Sequence, residues 1–280
     1  MQTKNVEVDD ALFEVLTAFS ESADAVNAPW LVIGATARVI LLEGVSGLPR
    51  GVATQDIDFG VQIGDWEHYK QLCDYLIQKG ASETERKPTK RFKSKQDRIF
   101  DLVPYGGVED GDKQVYWPPE NDDVMTVRGF DGAADNAISV IVNEKLTVPV
   151  VSPVGLCALK LFAWEERHTQ HPGRDAKDIA YLFTHIESLY TVDMLHTQYT
   201  EAIDAADYVI NNAGYYQLGS DVQDLLTEDD HTFMTGLISQ ELEKSEDSTL
   251  CRELHRYMNT SSIDETFAAL SFFNKGLCDE

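Results

Sequence analysis

Positive charge is what this 280-residue chain has least of. Its 23 lysines and arginines face 48 aspartates and glutamates, a formal net charge of −25. That balance excludes a broad electrostatic attraction to nucleic acid. No run of about 18 apolar residues occurs, so no membrane-spanning helix and no membrane partner are expected. The first ten residues, MQTKNVEVDD, hold no hydrophobic signal region and neither end carries a lipidation motif, so export and lipid anchoring are not expected. Cysteine is scarce: Cys73, Cys157, Cys251 and Cys278 lie far apart with no C-x-x-C pair, the usage of free thiols in a reducing cytoplasm. Neither a G-x-x-x-x-G-K-[ST] phosphate loop nor a G-x-G-x-x-G fingerprint is found. Internal repeats and low-complexity tracts are missing as well.

What is present is enough to fold. A 43% hydrophobic content is too high for a disordered chain, and the length permits a proper core. Residues 9–26 read as an amphipathic helix capped by Asp9 or Asp10. The apolar run Trp30–Ile33 reads as a buried strand meeting a tight turn at Gly34, with a helix over 35–43 and a loop over 44–54. Over 55–63 the pattern alternates: Ile57, Phe59, Val61 and Ile63 on one side, Asp56, Asp58, Gly60 and Gln62 on the other, which is strand periodicity. A helix over 65–79, capped by Asp65 and closed by Gly80, follows. Further strands are expected at 98–104, 137–142 and 146–151.

From Ser152-Pro153, a cap followed by a first-turn proline, the expected helices are 153–167, 174–186, 200–212, 231–244, 249–258 and one near 263–273. The predicted fold class is α+β, a mixed sheet flanked by helices (1–151) followed by a helical bundle (152–280). Charge is unevenly spread. Residues 201–280 hold 17 acidic and four basic residues, whereas 85–98 carries Arg86, Lys87, Lys90, Arg91, Lys93, Lys95 and Arg98 against Glu85 and Asp97.

Asp56 and Asp58 are the strongest chemical lead. Carboxylates at i and i+2 on a strand share a face, roughly 6–7 Å apart at Cα, and can converge on a hard cation. A calcium loop fails, because Gly60 and Val61 occupy the fifth and sixth positions counted from Asp56. Asp101 lies alone in the apolar strand Ile99-Phe100-Asp101-Leu102-Val103. Buried there it needs a partner, either a cation or one of the nearby arginines. Gly34-Ala35, opening a helix after a strand, offers backbone N–H groups to phosphate. The histidines His168 and His171 have no H-E-x-x-H context, and no histidine lies near the acids in sequence, which disfavours zinc and a histidine-dependent phosphodiesterase. The aromatic pairs Tyr215-Tyr216 and Phe272-Phe273 read as core of the helical half.

The order of these parts resembles the DNA polymerase β-like nucleotidyltransferases, and within them the AbiEii/AbiGii toxin group. The likeness runs through the Gly34 turn, Asp56-x-Asp58, Phe100-Asp101-Leu102-Val103-Pro104-Tyr105-Gly106, the helix from Ser152-Pro153 to Lys160-Leu161-Phe162-Ala163-Trp164, and Arg174-Asp175-Ala176-Lys177-Asp178. It spans roughly residues 10–275. The resemblance implies that Asp56, Asp58 and Asp101 ligate Mg²⁺ (or Mn²⁺), with Asp101 activating an acceptor hydroxyl. It also implies that Gly34, Ala35, Thr54, Lys160, Arg174, Asp175 and Asp178 form the nucleotide site.

The implied substrate is an NTP, its acceptor RNA such as a tRNA 3′ end or a protein, and its partner a cognate antitoxin of a type IV toxin–antitoxin pair. The alternative is a nucleotide-binding regulatory protein without turnover. Two departures stand out: Ala35 replaces the second Gly or Ser of the turn, and twenty residues separate Ala35 from Asp56, implying an insertion near 44–53. Against a strongly acidic chain, an RNA acceptor implies a narrow, salt-sensitive contact at the basic 86–98 stretch.

Overall fold

The computed structural model describes residues 5–51, 56–84, 90–118, 121, 124–258 and 260–279, and the chain divides into two compact units, Met1–Ser152 and Pro153–Glu280. Among the described residues no helix is long and apolar enough to cross a membrane.

The first unit is built on an eight-stranded mixed sheet. In chain order its elements are β1 (Asn5–Val6), α1 (Asp10–Val26), β2 (Trp30–Ile33), α2 (Gly34–Arg38), a π-helical segment (Val39–Val45), β3 (Asp56–Ile63), α3 (Trp66–Gln78), β4 (Ser82–Glu83), β5 (Lys90–Lys93), β6 (Ile99–Gly106), β7 (Gln114–Tyr116), β8 (Val124–Thr126), α4 (Phe130–Asp135), β9 (Ile138–Val142) and β10 (Leu146–Val150). The sheet runs β1-β9-β10-β2-β3-β6-β5-β4, with β7 and β8 forming a separate ribbon. Asp9 caps α1 by accepting from the Leu12 N–H at 2.8 Å, and Asp65 caps α3 by accepting from the His68 N–H at 2.8 Å, since a short acid satisfies an orphan N–H of the first turn.

Period-2 alternation decides which face of the central strands is core. Phe59 on β3 stacks on Phe19 of α1, ring centroids 3.8 Å apart, and meets Phe100 of β6 edge-on at 6.0 Å. Phe92 of β5 stacks on Phe100 at 5.4 Å. All four rings are buried, so the residues between them in sequence are forced onto the opposite face.

The expected helix over 35–43 is α-helical only to Arg38 and then widens. Arg38, almost wholly buried, pairs with Glu43 five residues on, a spacing that one π turn rather than one α turn brings together. A four-residue β5 lies in what reads as a basic loop, because only Phe92 is apolar within it.

The second unit is helical: α5 (Pro153–Arg167), α6 (Ala176–Thr184), α7 (Ile186–Leu189), α8 (Val192–Gln198), α9 (Thr200–Ala205), α10 (Ile210–Leu225), α11 (Glu228–Glu243), α12 (Thr249–Tyr257) and α13 (Ile263–Cys278). The single helix expected over 200–212 is broken, since Asp207 and Tyr208 both take positive φ, 49° and 64°, and α10 begins only beyond them. Its Asn211, Asn212, Gly214 and Gly219 are poor helix formers. Tertiary packing overrides them: a Cβ on Gly219 would come 2.0 Å from the Phe273 carbonyl oxygen, and one on Gly276 would come 1.9 Å from that of Tyr216. Two glycines thus let α10 and α13 touch backbone to backbone. Tyr215, Tyr216 and Phe273 are buried in this unit, as expected of core aromatics, whereas Phe272 is only half-buried, and the Trp164 indole donates to Glu253 at 2.9 Å. Cys73, Cys157 and Cys251 are buried thiols and Cys278 is an exposed one.

Candidate functional site

Register builds the acid cluster. β3 and β6 pair in parallel with Asp58 opposite Asp101, β2 pairs with β3 so that Ile33 lies opposite Asp58, and β5 pairs with β6 so that Arg91 lies opposite Asp101. One row across the sheet therefore reads Ile33, Asp58, Asp101, Arg91. The neighbouring row of Ile57, Phe100 and Phe92 faces the core. Asp56, two residues before Asp58, shares the acid face.

Arg91 closes this cluster. Its Nε and Nη2 donate to the two Asp101 carboxylate oxygens at 2.7 and 2.6 Å, and Nη2 also donates to Asp56 Oδ2 at 2.8 Å. Fork-on-carboxylate geometry of this kind is the strongest ion pairing that side chains make. The Asp101 hydrogen bonds push the guanidinium pKa still higher, overriding a partial burial that pulls the other way. Asp101 is buried, whereas the Asp56 side chain remains 40% exposed.

The turn after β2 meets the same row. Gly34 has φ +67°, and a Cβ there would lie 2.3 Å from Asp58 Oδ2. Glycine is thus required twice, by the left-handed backbone and by the carboxylate against it. Just beyond, the Thr36 hydroxyl donates to the Asp56 carbonyl at 3.0 Å, and Glu43 accepts from the Gly51 N–H at 3.0 Å. Helix α2 and the π segment so hold both ends of the chain leading into β3. Ala35 sits in the first turn of α2, and Thr54 lies outside the described residues.

Three carboxylates on adjacent strands are the hard oxygen donors that Mg²⁺ prefers. As the side chains stand, among the described residues no group of three or more His, Cys, Asp or Glu gathers closely enough to hold an ion. The guanidinium of Arg91, bridging Asp101 and Asp56, stands where a shared cation would. Arg91 is also the residue of this cluster that the sequence pattern conceals, since it reads as one cation among seven. The signal that could have shown it is the alternation Arg91, Phe92, Lys93, a short strand with its aromatic turned to the core.

In the helical unit, Lys160, Asp175 and Asp178 come together. Lys160 Nζ lies 3.1 Å from Asp175 Oδ1 and 2.7 Å from Asp178 Oδ2, and Arg167 clasps Asp175 through Nε and Nη2, both at 2.7 Å. Burial alone would raise the Asp175 carboxyl; the Arg167 hydrogen bonds and the Lys160 charge overcome it and lower the pKa to about 2. Lys160 does not snorkel to water. Arg174 stands exposed in the turn before α6, which begins at Ala176 rather than at 174.

Within the basic stretch, Lys95 is exposed and Arg98 half-buried. Arg86 and Lys87 lie outside the described residues, Arg91 belongs to the acid cluster, and Lys93 pairs with Asp97 at 2.6 Å.

No family model and no curated protein matches this chain. Solved structures with some likeness include ANT(2″)-Ia in complex with adenylyl-2″-tobramycin, 15% identical with TM-score 0.40, covering 72% of this chain and 96% of that one. An antigenic nucleotidyltransferase-like protein from Paracoccidioides brasiliensis is 16% identical with TM-score 0.40, covering 75% and 94%. A CCA-adding enzyme in complex with ATP is 14% identical with TM-score 0.34, covering 94% and 66%.

Proposed function

We propose that this protein is a nucleotidyltransferase that moves a nucleotidyl group from an NTP to an acceptor hydroxyl and releases pyrophosphate. The observation that carries the proposal is the acid row itself: Asp58 and Asp101 opposed across parallel strands, Asp56 on the same face and Gly34 against the Asp58 carboxylate. A carboxylate there can take the acceptor proton as the acceptor oxygen attacks the α-phosphorus and the bond to pyrophosphate breaks. Asp101 is assigned that role once Arg91 releases it. Mg²⁺ or Mn²⁺ dependence belongs to the proposal, with Asp56, Asp58 and Asp101 as the candidate ligands.

Gly34, Ala35 and Thr54 are assigned to the nucleotide, together with Arg174, whose guanidinium is exposed. The resemblance also assigns Lys160, Asp175 and Asp178 of the helical unit to the nucleotide, although there the lysine charge is already answered by the two aspartates. The resemblance to AbiEii-type toxins adds an RNA or protein acceptor, a tRNA 3′ end among them, a cytoplasmic setting and a cognate antitoxin.

Purified protein incubated with total RNA and each radiolabelled NTP in turn should label one acceptor class. The Asp56→Asn/Asp58→Asn variant should abolish that labelling while its circular dichroism stays unchanged, and undiminished labelling in the variant refutes the proposal. Induced expression should arrest growth with the native chain but not with the variant if the protein is a toxin. The Arg91 clasp favours one second reading, a nucleotide-binding regulatory protein whose acids serve structure. Calorimetric NTP binding without product on any acceptor would establish it.

A further inference from the structure

We propose that the cavity at the C-terminal end of α6 binds an alkyl polyamine, a methylene chain carrying ammonium groups. The cavity lies wholly within the helical unit, encloses about 640 Å³ and is walled by α6, α7, α10 and α13. Among the described residues, none assigned to the acid row or to the nucleotide lines it.

Local backbone features shape the cavity. Helix α6 stops at Thr184, and His185 leaves helical geometry with φ −105° and ψ 23°. Asp207 and Tyr208, both at positive φ, interrupt the chain ahead of α10 and set Val209, 50% exposed, on the wall. Gly214 lets α10 close on α7, since a Cβ there would lie 2.8 Å from Ile186 Cγ1.

The floor is apolar. Phe183, Ile186, Tyr215 and Met258 are all buried, a surface that gains by being covered with methylenes. The rim is acidic: Glu187 and Glu265 line it, and among the described residues no lysine or arginine does. Burial chiefly, and then these two carboxylates, push the Tyr215 phenol up to about 12, so both acids stand near one point of the floor. The Ser261 N–H and hydroxyl donate to Glu265 and hold its pKa below the ordinary carboxylate value, keeping it ionised. His185 adds no opposing charge at neutral pH, because burial lowers its pKa. Asn211 and Asn212 on the α10 wall add amide oxygens that accept from an ammonium.

Charge and floor together select the ligand. Two carboxylates with no lysine or arginine on the same walls repel an anion and favour a cation. The apolar floor favours an organic cation over a hydrated metal ion, and among the described residues no cluster of three acids, histidines or cysteines could hold a metal. Two acids above one apolar floor suit a chain that lays its methylenes down and keeps its ammonium groups in water.

Spermidine provides the probe, titrated into the full chain by calorimetry, and saturable binding at one site per chain is expected. Glu187→Gln/Glu265→Gln keeps hydrogen-bonding capacity, removes both charges and should weaken binding at least about tenfold. Glu243→Gln/Glu246→Gln removes two exposed acids that do not line the cavity and should change affinity by less than about twofold. Butylamine, with one ammonium, should bind at least about tenfold more weakly than spermidine. Ala268→Trp, which fills the cavity from α13, should also weaken binding, and it stands in if the double glutamine variant does not fold. No saturable binding, or an affinity unchanged in the folded cavity variants, overturns the proposal. An equal loss in Glu243→Gln/Glu246→Gln overturns it as well, by showing only a diffuse attraction of cations to an acidic chain.

Discussion

The helical unit balances Asp175 and Asp178 with Lys160 and Arg167, two cations drawn from α5, whereas the sheet unit sets one arginine between Asp101 and Asp56 on a face that also bears Asp58. Both clusters join buried acids to nearby bases, and both draw on segments close in sequence. They differ in balance. A closed set of charges such as that on α5 and α6 is a scaffold, costly to break but with little left to offer a ligand. On the sheet face one guanidinium is shared between Asp101 and Asp56, and the Asp56 side chain stays 40% exposed, so this cluster is open to solvent.

The largest effects should separate the two clusters by what they change. Asp56→Asn/Asp58→Asn should lower nucleotide transfer by at least about a hundredfold, measured by label incorporation, while urea unfolding of the helical unit stays as in the native protein. Asp175→Ala should do the reverse in kind. Removing the acid leaves the half-buried Arg167 without this partner and Lys160 with Asp178 alone, and the unit should lose about 2–3 kcal/mol, read from the shift of the urea midpoint. A comparable fall in transfer with no loss of stability in Asp175→Ala would erase the distinction.

Acid should find the same difference more gently. The Asp175 carboxyl, lowered to about 2 from an unfolded value near 3.8, contributes stability that is fully present above pH 4. That contribution, about 2–3 kcal/mol, disappears as pH falls from about 4 through about 2. Circular dichroism melts of the native chain across that window should show the loss, and Asp175→Asn should flatten it. The smallest effect belongs to the solvent: Lys93→Ala breaks a pair in which both side chains are well exposed and should cost less than about 1 kcal/mol.

Much of the acid cluster was legible in the chain, and the reasons are local. Alternation over 55–63 put Asp56 and Asp58 on one face because Ile57 and Phe59 claimed the other, and Gly34 marked a tight turn after the preceding strand. Asp101 was legible as an isolated acid in an apolar strand, and an arginine partner was one of the two outcomes that its isolation allowed. Arg91 itself was not, because β5 has four residues with one buried aromatic and too little pattern to announce a strand amid so many cations. The pairing of Lys160 escaped for a related reason: its neighbours Leu159, Leu161 and Phe162 show that it crosses an apolar surface, but not what waits at the far side. Helix α10 was missed beyond residue 212 because its glycines and asparagines oppose helix locally and are repaid only by the close approach of α13, while the helix read over 200–212 ran through the break at Asp207 and Tyr208.

The sequence by itself determined the α+β class, the faces of the central strands, the cap of α3 and the identity of the three acids, since each follows from spacing a few residues apart. Only the tertiary structure decided that Asp58 meets Asp101, that Arg91 clasps Asp101 and Asp56, and that Asp175 is held ionised at the cost of burial. Those outcomes depend on strand register and helix packing between segments that local pattern leaves independent, and a slip of one residue in register would have turned every one of the sheet acids into the core.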